Sequence, residues 1–502
     1  MIYQLIRYGI HLKNEKMKTK YIKNNVLYGF IAVWSIALTS CDDLLDTTST
    51  TSVSAATVFD TPSRIEGLVN GTYKSLKSAS LYGGRIHFYL DIRGEDFINV
   101  TANSYTGYES WSNSYSSGSN DITNLWTAAY STINNANILI EGLEKSVGVI
   151  SDELKTQYLG EAYFIRALTY YTLVTIFAPP YKKDNGQSKA LPLRLQAETT
   201  SSNNDLARST VADIYARILA DLDFAENNLP VGYSTAQLNT TRAHRNTAIA
   251  LKTRVSLNKG DFENVVTEAR KIVPQTTAPF SATSGIAHAL FDDIVTIFGA
   301  NYTTTESILS MPATASDSYS GQSSIGYIYN VNSEYYLNPS GILGSPLWSS
   351  SDERRQLLRI GADGNTYLKK YAKSSPYVDY IPVLRYAEVL LNYAEALARK
   401  PSPDLDLAKT LLEAVHTRSD ASFAFPVDAV NTVDNIVATI RIERRIELLG
   451  EGFRSNDLLR DLLTIPAKGS SSLQAAAVEP TDANYIFPYP NSEINTNKLL
   501  LE

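Results

Sequence analysis

Aromatic side chains set among polar residues are the groups in this sequence best suited to hold a hydroxyl-rich ligand. An aromatic face stacks on apolar C–H surface while nearby amides, hydroxyls and charges answer the ligand's polar groups. Of the four tryptophans, Trp34 lies in an apolar N-terminal run and Trp126 falls on a helical pattern, which leaves Trp111 and Trp348 in irregular stretches. Trp111 is flanked by Tyr105, Tyr108 and Tyr115, with Arg85, Asp96 and Asn113 close in sequence as hydrogen-bonding groups. The expected ligand contacts are therefore Trp111, Tyr108, Tyr105, Arg85, Asp96 and Trp348, and the competing structural role for the two tryptophans is to anchor loops by packing. Tyr327, Tyr329, Tyr335 and Tyr336 are weaker candidates, because their spacing also suits a partly buried strand. Tyrosine is abundant, 32 residues against 15 Phe, and more than half of these rings are expected in the core.

Covalent and metal chemistry find less support. The histidines at 11, 87, 244, 288 and 416 are isolated, with no His-x-x-x-His pair for zinc, no Gly-x-Ser-x-Gly elbow and no phosphate-cradling glycine loop. No metal, cofactor or catalytic residue is expected. Glycoside hydrolysis needs only two suitably spaced carboxylates, and Asp91 with Glu95 or the pair Asp292 and Asp293 can be nominated, but among 52 acidic residues such pairs carry almost no information. Glu443 and Glu447 share a helix face at i,i+4. Arginines are interleaved with them, and Arg385, Glu388 and Glu395 are available as ion-pair partners, so a scaffold role is expected there and at Glu161 and Arg166. With 45 Lys+Arg against 52 Asp+Glu and no basic stripe, nucleic acid is not an expected partner.

The N-terminus carries a different chemistry. From Met17 the chain reads Lys18, Lys20 and Lys23, an apolar run from 26 to 38, then Thr39 and Ser40 before Cys41. A basic region, about a dozen apolar residues and a small-residue cleavage site describe a secretory signal better than a membrane-spanning helix, which needs about 20 residues. The sequence Leu38-Thr39-Ser40-Cys41 resembles a bacterial lipobox, in which the cysteine thiol takes a diacylglycerol and becomes the new N-terminus. Cys41 is the sole cysteine, which excludes a disulfide, and more than one acyl chain gives a durable anchor. Residues 1–40 are thus expected to be a removable signal, with Met17 a plausible start, and 41–54, rich in Thr and Ser, a flexible tether.

The elements that must position the candidate residues are mostly helical. Thr210 and Asp213 have capping-box spacing, with Val211, Ile214, Ile218 and Leu222 on one face before Pro230. A helix over 246–258, a break at Gly260 and a second helix over 261–273 form an αα-hairpin. Its turn, Leu257 to Phe262, resembles that of a tetratricopeptide repeat, although the helices are too unevenly spaced for a regular array. Further helices are expected over 385–399, 405–418 and 433–450. Residues 81–120, 274–300 and 317–351 lack periodicity and are too long for simple connections, the usual mark of functional or disordered segments. At 502 residues and 44% hydrophobic, the chain can bury a large core.

Several separate segments together resemble the SusD/RagB family. They are Trp126-Thr127-Ala128-Ala129-Tyr130 with Ile133, Ala136 and Asn137; Glu161-Ala162-Tyr163-Phe164-Ile165-Arg166-Ala167 with the later Ala190-Leu191-Pro192; Ser351-Asp352-Glu353-Arg354-Arg355; Leu384-Arg385-Tyr386-Ala387-Glu388; Arg441-Ile442-Glu443-Arg444-Arg445 with Glu451-Gly452-Phe453-Arg454; and the closing Pro488-Tyr489-Pro490-Asn491. Ser455 and Asn456 depart from the aromatic residues common there. The resemblance implies a mainly α, tetratricopeptide-like scaffold with long irregular ligand-binding loops. It divides the chain into an N-terminal helical region (55–230), tetratricopeptide-like helices with a loop (231–300) and a C-terminal domain (301–502). It also implies a lipid-anchored outer-membrane protein facing the cell exterior, which binds glycans without chemistry and delivers them to a TonB-dependent, SusC-like transporter. Peptide capture, as in the RagB branch, a surface glycoside hydrolase, and a structural lid with no ligand of its own are the alternatives.

Overall fold

In the computed structural model the described residues are 57–299 and 302–502. The signal, Cys41 and the tether expected over residues 1–54 lie outside them. Local chemistry explains most helix boundaries. Helix α1 (Pro62–Leu76) begins with Thr61 accepting the Arg64 N–H and with proline at its first position, where no backbone donor is required. Helix α2 (Arg85–Ile92) occupies part of the stretch expected to be irregular; every residue after Arg85 is buried, so it has no apolar stripe to betray it. Two 26-residue helices, α3 (Asn120–Lys145) and α4 (Asp152–Phe177), carry the Trp126 and Glu161 motifs.

Helix α5 (Val211–Asn228) starts with the capping box expected at Thr210 and Asp213, in which each side chain takes the other's backbone N–H. Helices α6 (Arg245–Lys259) and α7 (Phe262–Ile272) form the expected hairpin, turning at Gly260 with φ +83, a left-handed conformation that costs glycine nothing. The C-terminal half adds α8 (Tyr386–Arg399), α9 (Leu405–Ser419) and α10 (Val433–Glu447). The last of these stops three residues short of the expected 450, because Leu448 caps onto the Arg444 carbonyl and Gly450 turns the chain at positive φ.

Successive helices pack as neighbours along one path, α3 on α4, α4 on α5, α5 on α6, α6 on α7, α7 on α8 and α8 on both α9 and α10. This mainly α stack has one continuous apolar core running through it, and Phe59–Glu502 form one compact unit. Strand structure among the described residues is confined to two-stranded pieces that pin the long loops. Phe97–Asn99 pairs antiparallel with Tyr335–Leu337, and Ser307–Met311 pairs with Ile381–Arg385. The loops near Arg85 and those after residue 300 are thereby held against each other.

The arginine- and glutamate-dense segments form a buried ionic lattice. Arg385 donates to Glu447 and Glu451, both at 2.8 Å, and to Glu306. Arg354 reaches Asp352, Glu443 and Glu447, and Arg418 reaches Glu306 and Glu447. Glu395 pairs with Arg399, Arg441 and Arg460, whereas Glu388, expected to serve the same helix, instead holds Arg254. Each carboxylate meets several donors, which is what keeps a charge tolerable away from water. The scaffold role expected of Glu443 and Glu447 is therefore realised, as are those of Glu161, paired with Arg242, and Arg166, paired with Asp221.

Candidate ligand-binding surface

Of the six expected ligand contacts, three are structural. Trp111 has no exposed surface, its indole N–H donates to the Phe97 carbonyl at 2.8 Å, and the Lys468 ammonium lies 5.5 Å from its ring centroid. Trp348 is 3% exposed and lies under the Arg355 guanidinium, 4.5 Å from the ring centroid. Asp96 is buried, accepting from Arg445 at 2.5 Å and from the Ile342 N–H at 2.7 Å. The polar neighbourhood of Trp111 in sequence suggested a surface, but the ring points the other way, into a site closed by chain from far away. Tyr329 and Tyr335 are likewise buried, while Tyr327 and Tyr336 are half-buried.

The other three candidates reach solvent. Tyr105 is 67% exposed, Arg85 is half-buried, and Tyr108 is half-buried with its ring stacked on Trp111 at 5.9 Å. The Arg85 guanidinium donates to the Tyr105 carbonyl at 2.8 Å, to the Gln322 carbonyl at 2.5 Å and to the Tyr89 hydroxyl at 2.8 Å. It therefore ties the Tyr105 turn to a loop more than two hundred residues further along the chain.

That loop brings in Tyr319, which sequence reasoning missed, and Tyr327, a weaker candidate from sequence. Tyr319, half-buried, donates to the Lys77 carbonyl at 2.8 Å, and the Lys77 ammonium donates to the Asp317 carboxylate at 2.8 Å. Tyr327 meets Tyr377 edge to face with centroids 6.1 Å apart. Tyr377 holds φ +58, an uncommon conformation for an aromatic residue and one that often marks a functional position. Tyr302 and Tyr380 stack face to face at 4.6 Å, with the Tyr302 hydroxyl donating to Asp379 at 2.9 Å and the Tyr380 hydroxyl accepting from Gln237 at 2.9 Å. Burial, and then the Asp379 charge, raise the Tyr302 hydroxyl above its ordinary value, so it stays protonated and remains a donor.

Lys77, Tyr319, Tyr377 and Asp379 line one crevice, which joins three of these segments. The result is a set of solvent-reaching rings, of which Tyr302, Tyr319 and Tyr380 have their hydroxyls fixed by hydrogen bonds. It offers apolar faces for stacking with hydroxyl groups at their rims, while Asp379, itself buried, takes the Tyr302 hydroxyl and the Lys373 N–H. For its part after residue 370 the sequence signal was tyrosine among serine, proline and aspartate, as in Ser374-Ser375-Pro376-Tyr377 and Asp379-Tyr380.

Three of the four carboxylates nominated for hydrolysis are engaged in structural contacts. Asp91 accepts the backbone N–H groups of Gly452, Phe453 and Arg454, Glu95 pairs with Arg445 and Arg454, and Asp293 accepts the N–H groups of Val295 and Thr296. Among the described residues no group of acidic, histidine or cysteine side chains is arranged to hold a metal.

Comparison with known proteins agrees with this architecture. A crystal structure of a SusD superfamily protein from Bacteroides fragilis is 30% identical and superposes with a TM-score of 0.80, covering 89% of this chain and 100% of that one. The chain belongs to the SusD/RagB family. Residues 43–257 match the family described as "Starch-binding associating with outer membrane", and residues 313–502 match the SusD family. SusD-like protein P2 of Formosa agariphila is 25% identical, over 93% of this chain and 96% of that protein. Surface glycan-binding protein A from Bacteroides fluxus, at 20% identity, shares the fold with a TM-score of 0.67 over 87% of this chain and 97% of that one. Among the described residues no helix is long and apolar enough to cross a membrane.

Proposed function

We propose that this SusD-family protein captures oligosaccharides at the outer face of the outer membrane, without chemistry, and passes them to a TonB-dependent transporter. The observation that carries this reading is that tyrosines from separate segments are drawn together: Tyr319 and Tyr377 line one crevice, Tyr327 meets Tyr377 edge to face, and Arg85 ties the turn of the exposed Tyr105 to the loop that carries Tyr319. Solvent-reaching rings beside hydrogen-bonding groups suit a ligand with alternating apolar faces and hydroxyl edges. The printed description of the family, starch binding in association with the outer membrane, and the name of the glycan-binding Bacteroides fluxus neighbour support the same class of ligand. Cys41, lipidated, would tether the body to the membrane from its N-terminal side.

The test is an affinity-gel and calorimetry screen of the chain beginning after Cys41, against polysaccharides and oligopeptides, with Tyr377→Ala and Tyr105→Ala alongside. Saturable glycan binding without release of reducing ends, weakened at least tenfold in Tyr377→Ala, is the expected result. Binding to peptides alone would replace glycan capture with peptide capture, and steady release of reducing ends would replace it with hydrolysis. Co-purification with a transporter in the absence of any ligand would leave only a structural lid.

A further inference from the structure

A second concavity shares no residue with the tyrosine surface. It is a cleft of about 650 Å³ between α3, the irregular chain that follows Pro192 and the C-terminal helix Asn491–Thr496. Its volume falls in the range of small-ligand sites, about 300–1,000 Å³.

Both walls are pinned by side chains. Asn134 takes the Glu198 N–H at 2.7 Å and donates to the Glu198 carbonyl at 2.8 Å, in the manner of a paired strand. Asn137 donates to the Arg194 and Gln196 carbonyls, both at 3.1 Å. On the opposite side Asn497 exchanges two hydrogen bonds with the backbone of Leu206, each at 2.9 Å. A loop whose one regular piece is the turn Ser201–Asn203 is thus fixed against a helix, and a preformed concavity spares a ligand the cost of ordering it.

The lining selects the ligand class. Tyr130 is half-buried in the floor with its hydroxyl committed to the Pro192 carbonyl at 2.9 Å, and it packs on Trp126 with centroids 4.7 Å apart. Arg194 is shared between Glu198 at 2.7 Å and Glu493 at 3.4 Å. This triad is net negative with its one cation already engaged, which disfavours a phosphate or carboxylate ligand. The rim is made of exposed hydroxyls such as Thr127, Ser131, Thr200 and Ser492, which disfavours an acyl chain or an apolar helix. A ring face, two fixed carboxylates and a hydroxyl rim answer a neutral sugar.

We propose that this cleft is a second binding site for a neutral saccharide, separate from the tyrosine surface. The test soaks crystals of the folded chain with glucose, galactose, mannose and xylose in turn. Calorimetry then follows with a trisaccharide of whichever sugar appears, on the parent protein and on Ser131→Trp, which fills the cleft from an exposed position. Expected are sugar density beside Tyr130 and Glu198 and a solution binding component lost at least tenfold in Ser131→Trp at unchanged melting temperature. Sugar on the tyrosines alone, density in the cleft without binding in solution, or binding indifferent to Ser131→Trp each overturns the proposal. Sugar in the cleft alone sustains it while removing the tyrosine surface as the capture site, and sugar at neither sinks both.

Discussion

The indole N–H of Trp111 donates to the carbonyl oxygen of Phe97 at 2.8 Å, in a site where both side chains are wholly buried. The bond joins the turn after Tyr105 to the strand Phe97–Asn99, which itself pairs with Tyr335–Leu337. Trp111 is therefore a keystone between two long loops rather than a platform for ligand. Truncating a buried tryptophan costs about 3–5 kcal/mol, so Trp111→Ala should lower the urea midpoint severely. Glycan affinity per folded molecule should stay within about twofold of the parent, and a large loss of affinity in a protein of unchanged stability would contradict this assignment.

The ionic lattice makes a second prediction. Arg385 is the common donor to Glu306, Glu447 and Glu451, all buried, so Arg385→Met takes a donor from three carboxylates at once and leaves Glu306 to Arg418, Glu447 to Arg354 and Arg418, and Glu451 to Lys370. Removing one partner of a buried pair costs about 3–5 kcal/mol. Chemical denaturation of Arg385→Met should fall in or above that range. Arg64→Met, whose 3.8 Å pair with Asp60 lies in solvent, should change stability by less than about 1 kcal/mol. Equal effects of the two changes would mean that the lattice contributes no more than a surface pair.

Stability should also fall with pH before any carboxylate of the lattice is protonated. Burial depresses His87 and His288 to about 4 and His244 to about 3, the last helped by His288. Below about 6.5 the unfolded chain takes up three protons that the folded protein refuses, so stability is lost as pH drops from there towards 4. Asp91 works in the opposite direction. Burial raises it to about 7 despite the backbone donors of Gly452 and Arg454, so the folded state takes its proton earlier than the unfolded chain does. Burial also raises Asp121, Glu161, Glu268 and Asp379, which act with Asp91 at the acid end, so the histidines dominate in the upper part of the range and a net decline is expected between about pH 6.5 and 5.5, steeper in Asp91→Asn. Below about 4.5 the loss should accelerate, because Glu395, Glu447 and Glu451, which burial alone would raise, are held low by their arginines. A flat melting temperature from pH 7 to about 5 would contradict the histidine assignment.

What the sequence revealed and what it hid follow from the range of the interactions involved. The capping box at Thr210 and Asp213 and the turn at Gly260 are set by residues within a few positions, so the helices they bound could be read directly. Asp96 could not be placed, because its partner Arg445 arrives from the other end of the chain. The tyrosine surface was only half visible for the same reason. Tyr105 and Arg85 sit in a stretch whose irregularity pointed to function, but Tyr319 and Tyr377 become their neighbours only through strand pairing and the Arg85–Gln322 bond. Helix α2, buried on every side with His87 and Asp91 among its apolar residues, gave no period to detect.

Gly83 tests whether that surface depends on its backing. A Cβ added there would lie 2.5 Å from the Lys77 carbonyl oxygen, 2.7 Å from the Ser78 carbonyl oxygen and 2.7 Å from the Tyr319 ring. Two of these neighbours are backbone in the turn that follows α1, and the Gly83 N–H itself donates to the Ser78 carbonyl at 2.9 Å. They cannot withdraw without opening the turn, so the ring of Tyr319 must move and its hydrogen bond to Lys77 must weaken. Gly83→Ala should cost about 1–3 kcal/mol through overpacking and should weaken glycan binding at the tyrosine surface at least tenfold. Gly67→Ala, on α1 with nothing within 4 Å of the new methyl, should leave binding unchanged and stabilise slightly through helix propensity. If Gly83→Ala binds glycan as the parent does, Tyr319 is not part of the capture surface, and the site must be drawn from Tyr105, Tyr327 and Tyr377 alone.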